Sequence, residues 1–234
     1  MPRPILLSWS SGKDSAWSLH VLRRRDDVEV VGLLTTINAA RDRVAMHAVR
    51  RELLEAQADA AGLPLWPVPI PDPCTNEDYE RAMGAAVARA RAQGVQAVAF
   101  GDLFLEDVRA YREQRMAGSG LECVFPLWGE PTAALARTMI AGGLVAYLTC
   151  VDTQALDASF AGRRFDGSLL AELPVGVDPC GENGEFHSVV VAGPMFDRTL
   201  PVGVGERVDR GRFVYADVVP AAVPAAVPDP TAPS

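Results

Sequence analysis

The fold of this chain is decided by one stretch near its start, Ser8-Trp9-Ser10-Ser11-Gly12-Lys13-Asp14-Ser15. A short apolar run at residues 5–8 leads into this polar turn and predicts a buried strand. Apolar residues recur at helical spacing from residue 14 onward and predict a helix. In an open α/β sheet, a turn from strand to helix lies at the carboxyl edge of the strands, where ligands bind. Because the N–H groups at the start of a helix attract anions, the stretch predicts a phosphate-binding loop.

One residue of this loop, Lys13, is the only lysine in the sequence. The chain has 22 basic residues, and all of them except Lys13 are arginines. Arginine is a planar fork, whereas lysine is a compact charge on a thin stem, so a site crowded with phosphate oxygens would accept lysine and reject arginine. We therefore predict a catalytic role for Lys13. The residues predicted to form the phosphate-binding site are Ser10, Ser11, Gly12, Lys13, Asp14 and Ser15.

Two common phosphate loops do not match this stretch. A Walker A loop needs a glycine five residues before its Gly-Lys pair, where this chain has Leu7. The G-x-G-x-x-G pattern of dinucleotide-binding turns is also missing here. An alternative interpretation is an ordinary capped turn between a strand and a helix, which would explain the serines and the aspartate but not the solitary lysine.

The first 151 residues alternate between strands and helices. Apolar runs predict the strands, and helical periodicity that stops at glycines predicts the helices. Further strands are predicted at 28–36, 63–70, 95–100, 122–125 and 144–151, and further helices at 46–61, 76–93, 106–116 and 132–141. This alternation predicts an α/β domain over 1–151, with a doubly wound and mostly parallel sheet.

The pattern changes after residue 151. Helical periodicity thins, glycine and proline become frequent, and strands are predicted at 188–192 and 213–219. We predict a smaller α+β domain over 152–219, which would bind substrate or close over the first domain. The stretch 220–234 is rich in proline, alanine and valine, and it is predicted to be disordered.

Composition argues against several classes of function. The formal net charge of −8 speaks against a broad nucleic-acid surface, because such surfaces need clustered Lys and Arg. No apolar run reaches the roughly 18 residues of a membrane-spanning helix, so no membrane partner is expected. The four cysteines show no C-x-x-C spacing, and the first residues do not resemble a secretion signal. Both observations predict reduced thiols and a cytoplasmic protein.

Two further stretches are rich in acidic residues. Residues 100–113 directly follow a predicted strand, so that Asp102 would face the ligand crevice. Residues 178–188 combine glycines with two glutamates and a histidine. The alternatives are a solvated first helical turn and a tight Asn-Gly turn. The predicted catalytic acids are Asp102 and Glu185, and the predicted substrate-binding residues are Glu106, Glu182, Asn183 and His187.

Three stretches together resemble a known family. Residues 10–15 resemble the S-G-G-x-D-S loop of the ATP pyrophosphatases, whose fold is adenine nucleotide α-hydrolase-like, of the HUP type. The chain departs from that loop at Ser11, which stands in place of a glycine. With residues 100–113 and 178–188 added, the chain is similar to the diphthine–ammonia ligase family over about residues 4–219.

The resemblance implies an amide-forming ligase that uses ATP and Mg²⁺. A substrate carboxylate would attack the α-phosphorus to give an acyl-adenylate and pyrophosphate, and ammonia would then displace AMP. Asp14 and Asp102 are the predicted metal-binding residues, and Gly101 and His47 are predicted to bind the nucleotide. For His47 the alternative is an ordinary residue at a helix start. The arginine- and alanine-rich composition indicates a bacterial source, for which the carboxylate, protein-borne or small, would differ from diphthine.

Two other functions stay open. One is sulfur transfer to tRNA by a related pyrophosphatase, which predicts a basic surface and often paired cysteines. The other is a nucleotide-binding sensor of the same fold that performs no chemistry. The sequence leaves the oligomeric state open, with a homodimer as one alternative.

Overall fold

The computed structural model describes residues 1–40, 43–44 and 49–221 of the chain. The predicted role of His47 and most of the tail predicted to be disordered fall outside these described residues. Within them, no helix is both long and apolar enough to cross a membrane.

Six strands of the described residues form a mostly parallel sheet. They are β1 (Arg3–Ser8), β2 (Val28–Asn38), β3 (Arg43–Val44), β4 (Leu65–Ile70), β5 (Ala97–Ala99) and β6 (Glu122–Val124). β1 lies between β2 and β5 and is parallel to both. β4 is parallel to β2 and β6 is parallel to β5, whereas the short β3 is antiparallel to β2. The carboxyl end of β1 therefore lies in the middle of the sheet edge.

Helices cover both faces of this sheet. They are α1 (Lys13–Leu22), α2 (Arg51–Ala60), α3 (Asn76–Ala92), α4 (Glu106–Met116) and α5 (Thr132–Ala141). One buried cluster joins the sheet to α1, α2 and α5 through Leu19, Leu54 and Met139. A smaller cluster joins the other face to α3 and α4 through Ala90 and Met116. This arrangement confirms the predicted doubly wound fold of the HUP type.

Local sequence explains where several helices begin and end. α3 begins at a capping box, in which the Thr75 hydroxyl accepts a hydrogen bond from the Asp78 N–H at 3.1 Å. Gly62, with φ of +63°, follows α2, and Gly143, with φ of +85°, follows α5. Glycine adopts this left-handed conformation without steric cost, which is why it ends helices.

The second sheet of the described residues is antiparallel, with the strand order β8-β7-β10-β9. Its strands are β7 (Val145–Asp152), β8 (Phe186–Ala192), β9 (Val202–Arg210) and β10 (Phe213–Pro220), and a short helix, α6 (Gly167–Glu172), precedes β8. The sequence predicts β8 and β10 but not β9. Most residues of β9 are exposed, so the strand lacks a buried apolar pattern.

The strand predicted at 144–151 does not continue the parallel sheet. Instead, β7 pairs antiparallel with both β8 and β10. It is buried along almost its whole length, and a continuous apolar run does not reveal which sheet a strand will join. The division predicted between residues 151 and 152 falls at the end of this strand.

Candidate active site

The loop at residues 8–15 lies between the two sheets. The Ser11 carbonyl accepts a hydrogen bond from the Val190 N–H of β8 at 2.9 Å. The N–H of Lys13 donates to Ser188 Oγ at 3.2 Å. Gly12 makes this close approach easy, because a Cβ there would lie only 3.2 Å from the Ser188 carbonyl oxygen. Both sheets therefore shape the loop.

Ser11 adopts a backbone conformation that favours glycine. Its φ is +69° and the residue is fully buried. For an L-residue this conformation costs about 1–2 kcal/mol. Two hydrogen bonds to its carbonyl oxygen hold the residue there, one from Val190 and one from Gln57 Nε2 at 3.1 Å. The serine that replaces a glycine therefore keeps the shape of the loop.

Gln57 holds the loop in place, and the sequence predictions missed it. It is fully buried on α2. Its Nε2 donates to the carbonyl oxygens of Ser11 and Val190, at 3.1 and 2.7 Å, and its Oε1 accepts from Trp9 Nε1 at 3.0 Å. The available signal was a glutamine one turn after Leu53, on the apolar face of α2.

The Lys13 side chain is buried, with 3% of its surface exposed. Its Nζ donates to Asp14 Oδ2 at 2.7 Å and to the carbonyl oxygen of Cys180. The ring centres of Phe165 and Phe186 lie 5.8 and 5.4 Å from Nζ. Burial opposes the charge, but Asp14 and other neighbours outweigh it and raise the pKa of Lys13. The lysine is therefore protonated at neutral pH.

A cavity of about 210 Å³, here called the phosphate cavity, opens beside Lys13. Its walls come from the loop, from the residues that follow β5 and from the segment around the start of β8. The predicted site residues that line it are Ser10, Gly12, Lys13, Asp14, Ser15, Gly101, Asp102, Glu182 and His187. The fold thus brings together three stretches that lie far apart in the sequence.

Gly101 allows the end of β5 to meet α1 at this cavity. A Cβ at this position would lie 3.0 Å from the Ser15 nitrogen and 3.1 Å from the Asp14 carbonyl carbon. These are backbone atoms that cannot easily move aside, so the position favours glycine. The next residue, Asp102, accepts a hydrogen bond from Arg112 Nε at 3.4 Å.

Besides Lys13, the cavity-lining residues Asp14, Glu182 and His187 also have shifted pKa values. Burial raises the pKa of Asp14, although Lys13 acts against it. Burial also raises the pKa of Glu182 to about 7, even though Glu182 Oε1 accepts a hydrogen bond from the Leu103 N–H at 2.7 Å. Burial lowers the pKa of His187 to about 4, and the charge of Lys13 adds to the effect. At neutral pH the cavity therefore contains a neutral imidazole and a carboxyl group that titrates.

The donor set suits a magnesium ion that is shared with phosphate. Asp14 Oδ1 is buried and has no hydrogen-bond partner among the described residues. Asp102 lines the same cavity. Proteins bind Mg²⁺ with one or two carboxylates, and phosphate oxygens and water complete the shell. In the part of the chain that the structure describes, no group of three or more His, Cys, Asp or Glu could hold a metal, so Asp14 and Asp102 would need those further ligands.

Four predicted residues that the structure describes do not line the cavity, namely Ser11, Glu106, Asn183 and Glu185. Glu106 is exposed in the first turn of α4. Glu185 Oε1 accepts hydrogen bonds from Asn183 Nδ2 and from the Asp178 N–H, both at 2.9 Å. Glu185 thus braces the turn that carries Glu182, which indicates a positioning role. The direct roles given to these four residues stay predictions.

Two family models match most of the chain. One, described as the diphthamide synthase N-terminal domain, matches residues 3–122. The other, described as the diphthamide synthase C-terminal domain, matches residues 131–219. The chain belongs to the diphthamide synthase family. A diphthine–ammonia ligase of Danio rerio is 25% identical to it in an alignment 233 residues long. The alignment covers 89% of this chain and 90% of that protein.

Membership of the diphthamide synthase family confirms the resemblance seen in the three sequence stretches. It supports an enzyme of the ATP-dependent ligase class, and it implies the use of ATP and ammonia.

Proposed function

We propose that this chain is an ATP pyrophosphatase-type ligase, which joins ammonia to a carboxylate and splits ATP between its α- and β-phosphates. The observation that carries the proposal is the buried Lys13 in a loop of glycine-like shape, with Asp14 and Asp102 in the same cavity. Such a turn concentrates N–H donors and positive charge where a polyphosphate would leave.

In the first step, an oxygen of the substrate carboxylate attacks the α-phosphorus. The bond from that phosphorus to the oxygen of the leaving pyrophosphate breaks, and an acyl-adenylate forms. Lys13, held by Asp14 and by the Cys180 carbonyl, would stabilise the growing charge without reorganising. The hydroxyls of Ser10 and Ser15, 3.1 Å apart, supply further donors. Asp14 and Asp102 would hold a Mg²⁺ ion, which would supply further positive charge to the phosphates.

In the second step, ammonia attacks the carbonyl carbon of the acyl-adenylate, AMP leaves, and one proton must be taken up. Glu182 is suited to accept it, because burial raises its pKa to about 7. Glu182 and His187 belong to the segment that walls the cavity from the side of the second sheet. This wall would keep water from the acyl-adenylate.

The proposal concerns the reaction class. The Danio rerio relative is named for diphthine, and we extend to this chain the ligation of ammonia to a carboxylate, not that particular substrate.

Phosphorus NMR of the products tests the proposal. The full-length protein is incubated with ATP, Mg²⁺, ammonium and a panel of carboxylates that includes an elongation factor carrying diphthine. AMP and pyrophosphate are the expected products, and Lys13→Met serves as the inactive control. ADP and phosphate as the main products would contradict the proposal. Binding of ATP with no turnover across the panel would favour the sensor function instead.

A further inference from the structure

A second and larger cavity lies between α3 and α4. Its volume is about 470 Å³, a size typical of small-molecule sites. We call it the α3–α4 cavity. Phe100 and Arg112 line both this cavity and the phosphate cavity. The two cavities therefore adjoin each other at the carboxyl end of β5.

The lining of the α3–α4 cavity combines apolar surface with positive charge. Its body is formed by methionine, valine, alanine, phenylalanine and tyrosine side chains. The charged residues that line it are Glu80, Arg91, Arg112 and Arg115. In this lining Glu80 pairs with Arg115 at 2.6 Å, which leaves the charges of Arg91 and Arg112 to face the cavity. Such a lining fits an anion that is attached to an apolar group.

Arg112 occupies the junction of the two cavities. Its Nε donates to Asp102 Oδ2 over a long 3.4 Å, and its guanidinium carbon lies 5.0 Å from the ring centre of Phe100. Tyr79 lines the α3–α4 cavity together with Arg112. The Arg112 side chain is 30% exposed, so it is accessible to a ligand. A planar guanidinium can bind a carboxylate through two parallel hydrogen bonds.

We propose that the α3–α4 cavity binds the acceptor substrate as a free small molecule, a carboxylate on an apolar or aromatic body. The carboxylate pairs with Arg112, and the body lies between α3 and α4. This proposal rests on the ligase function above and adds the place and the chemical class of the acceptor. A carboxylate bound to Arg112 would lie next to the phosphate cavity, and its attack on the α-phosphorus requires this proximity. Ala90 is the one fully buried residue among the 17 of α3, and the cavity of about 470 Å³ beside this helix leaves room for the ligand.

The test titrates the full-length protein, without nucleotide, with two probes that share one body. These are 3-phenylpropionate and the uncharged 3-phenylpropionamide, and binding is measured by calorimetry or ligand-observed NMR. The acid should bind at least about tenfold more tightly, because the amide lacks the charge-assisted pair with Arg112. Arg112→Gln should remove this preference and leave the affinity for the amide unchanged.

A second variant fills the cavity itself. Gly84 lines the α3–α4 cavity, and a Cβ at this position meets no atom within 4 Å. Gly84→Leu should fold, since leucine favours a helix more than glycine does. Because its side chain takes the space of the ligand, both probes should bind about tenfold more weakly or worse. The matched control is Ala85→Leu on the same helix, which lines a different cavity beside Trp66 and should bind both probes like the native protein.

Equal affinity for the two probes in the native protein would overturn the role of Arg112. Native affinity in Gly84→Leu would overturn the cavity assignment. The titration needs no turnover, so the expected binding pattern in a protein that never releases pyrophosphate would refute the ligase function and leave the binding site standing. Conversely, pyrophosphate release at the native rate by Gly84→Leu, with an acceptor found in the product screen, would refute the α3–α4 cavity alone.

Discussion

The two faces of the parallel sheet are packed differently. On the face of α1, α2 and α5, one buried core continues into the second sheet and includes both Leu7 of β1 and Val189 of β8. On the face of α3 and α4, the buried cluster is smaller, and cavities of about 470 and 280 Å³ lie on the two sides of α3. The first face is therefore closely packed, whereas the second face contains cavities.

This difference separates the groups that would perform chemistry from those that would select a substrate. Charge that develops on a leaving pyrophosphate is stabilised best by donors that need not move, and the packed face holds Lys13 and Ser11 in this way. A substrate pocket needs shape and room, which the loosely packed face supplies. We therefore expect the phosphate chemistry to be sensitive to small changes and the α3 face to tolerate them.

The largest effect is expected at Lys13. Lys13→Met keeps the length of the side chain and removes its charge, so pyrophosphate release should fall about a hundred- to a thousandfold, or about 2.7–4 kcal/mol, as when an oxyanion donor is lost. Lys13→Arg should fail as well, because Phe165 and Phe186 leave a guanidinium too little space. Arg24→Met, at an exposed position just after α1, should keep the native rate. Near-native turnover of Lys13→Arg would show that the packed face is not selective.

Gln57 tests how far the packed face depends on one buried amide. Gln57→Leu leaves Trp9 Nε1 and the Val190 carbonyl without this partner, and it should lower the free energy of unfolding by about 3 kcal/mol. Denaturant unfolding measures the change, and calorimetry should show weaker ATP binding. Gln96→Leu, at an exposed position, is the control and should leave both values unchanged. Native stability of Gln57→Leu would argue that the loop is held by other contacts.

Hydrogen exchange compares the two faces directly. Amides of α3 should exchange about ten- to a hundredfold faster than those of α1, because a helix with few buried contacts opens at a lower free-energy cost. Mass spectrometry of the native protein resolves both helices. Equal protection of α1 and α3 would show that the two faces of the sheet are equally stable.

Glu182 should give the reaction a pH dependence. Since burial raises its pKa to about 7, the carboxylate form needed to accept a proton is lost below that pH, and kcat/KM should fall about tenfold per pH unit. Glu182→Gln should be slower and lack this limb. The folded protein binds the Glu182 proton more tightly than the unfolded chain does. Native stability should therefore decrease relative to Glu182→Gln as pH rises from 4.5 to about 7, which unfolding at several pH values would show. A profile identical in the variant would assign the proton to another group.

The smallest effect is expected at Ser11. Ser11→Gly relieves a positive φ, but it adds freedom to the unfolded chain, so stability should change by less than about 1 kcal/mol. Ser11 Oγ is buried without a hydrogen-bond partner among the described residues, so its loss should cost little. Ser168→Gly, inside α6, is the control and should be destabilising. A drop of several degrees in the Tm of Ser11→Gly would indicate that the serine hydroxyl has a function.

The elements of the first sheet could be predicted because their signals are local. α4 and α5 lie at the residues that helical periodicity predicts, 106–116 and 132–141. β9 could not be predicted, since most of its residues are exposed and it has no buried apolar face. The strand depends on pairing with β10.

The candidate site was predictable in part. The carboxyl ends of parallel strands meet at one edge, so Asp102 could be expected near the loop. Gln57 and Ser188 were not predicted, because each acquires its role from a partner distant in the sequence. Arg112 was not predicted either, because its position between two cavities depends on how α3 and α4 pack. Glu106 has the right residue type, but it lies on the exposed side of α4.

The sequence by itself determined the alternation of strands and helices, the place of the loop at the sheet edge and the unusual use of a single lysine. These features depend on residue types and on short spacings in the sequence, so they can be inferred from local sequence patterns. Only the tertiary structure decided that β7 joins the antiparallel sheet, that two cavities adjoin at Arg112 and that Lys13 is buried against Cys180. Lys13 and Cys180 are 167 residues apart, and contacts over such separations arise when whole elements pack together.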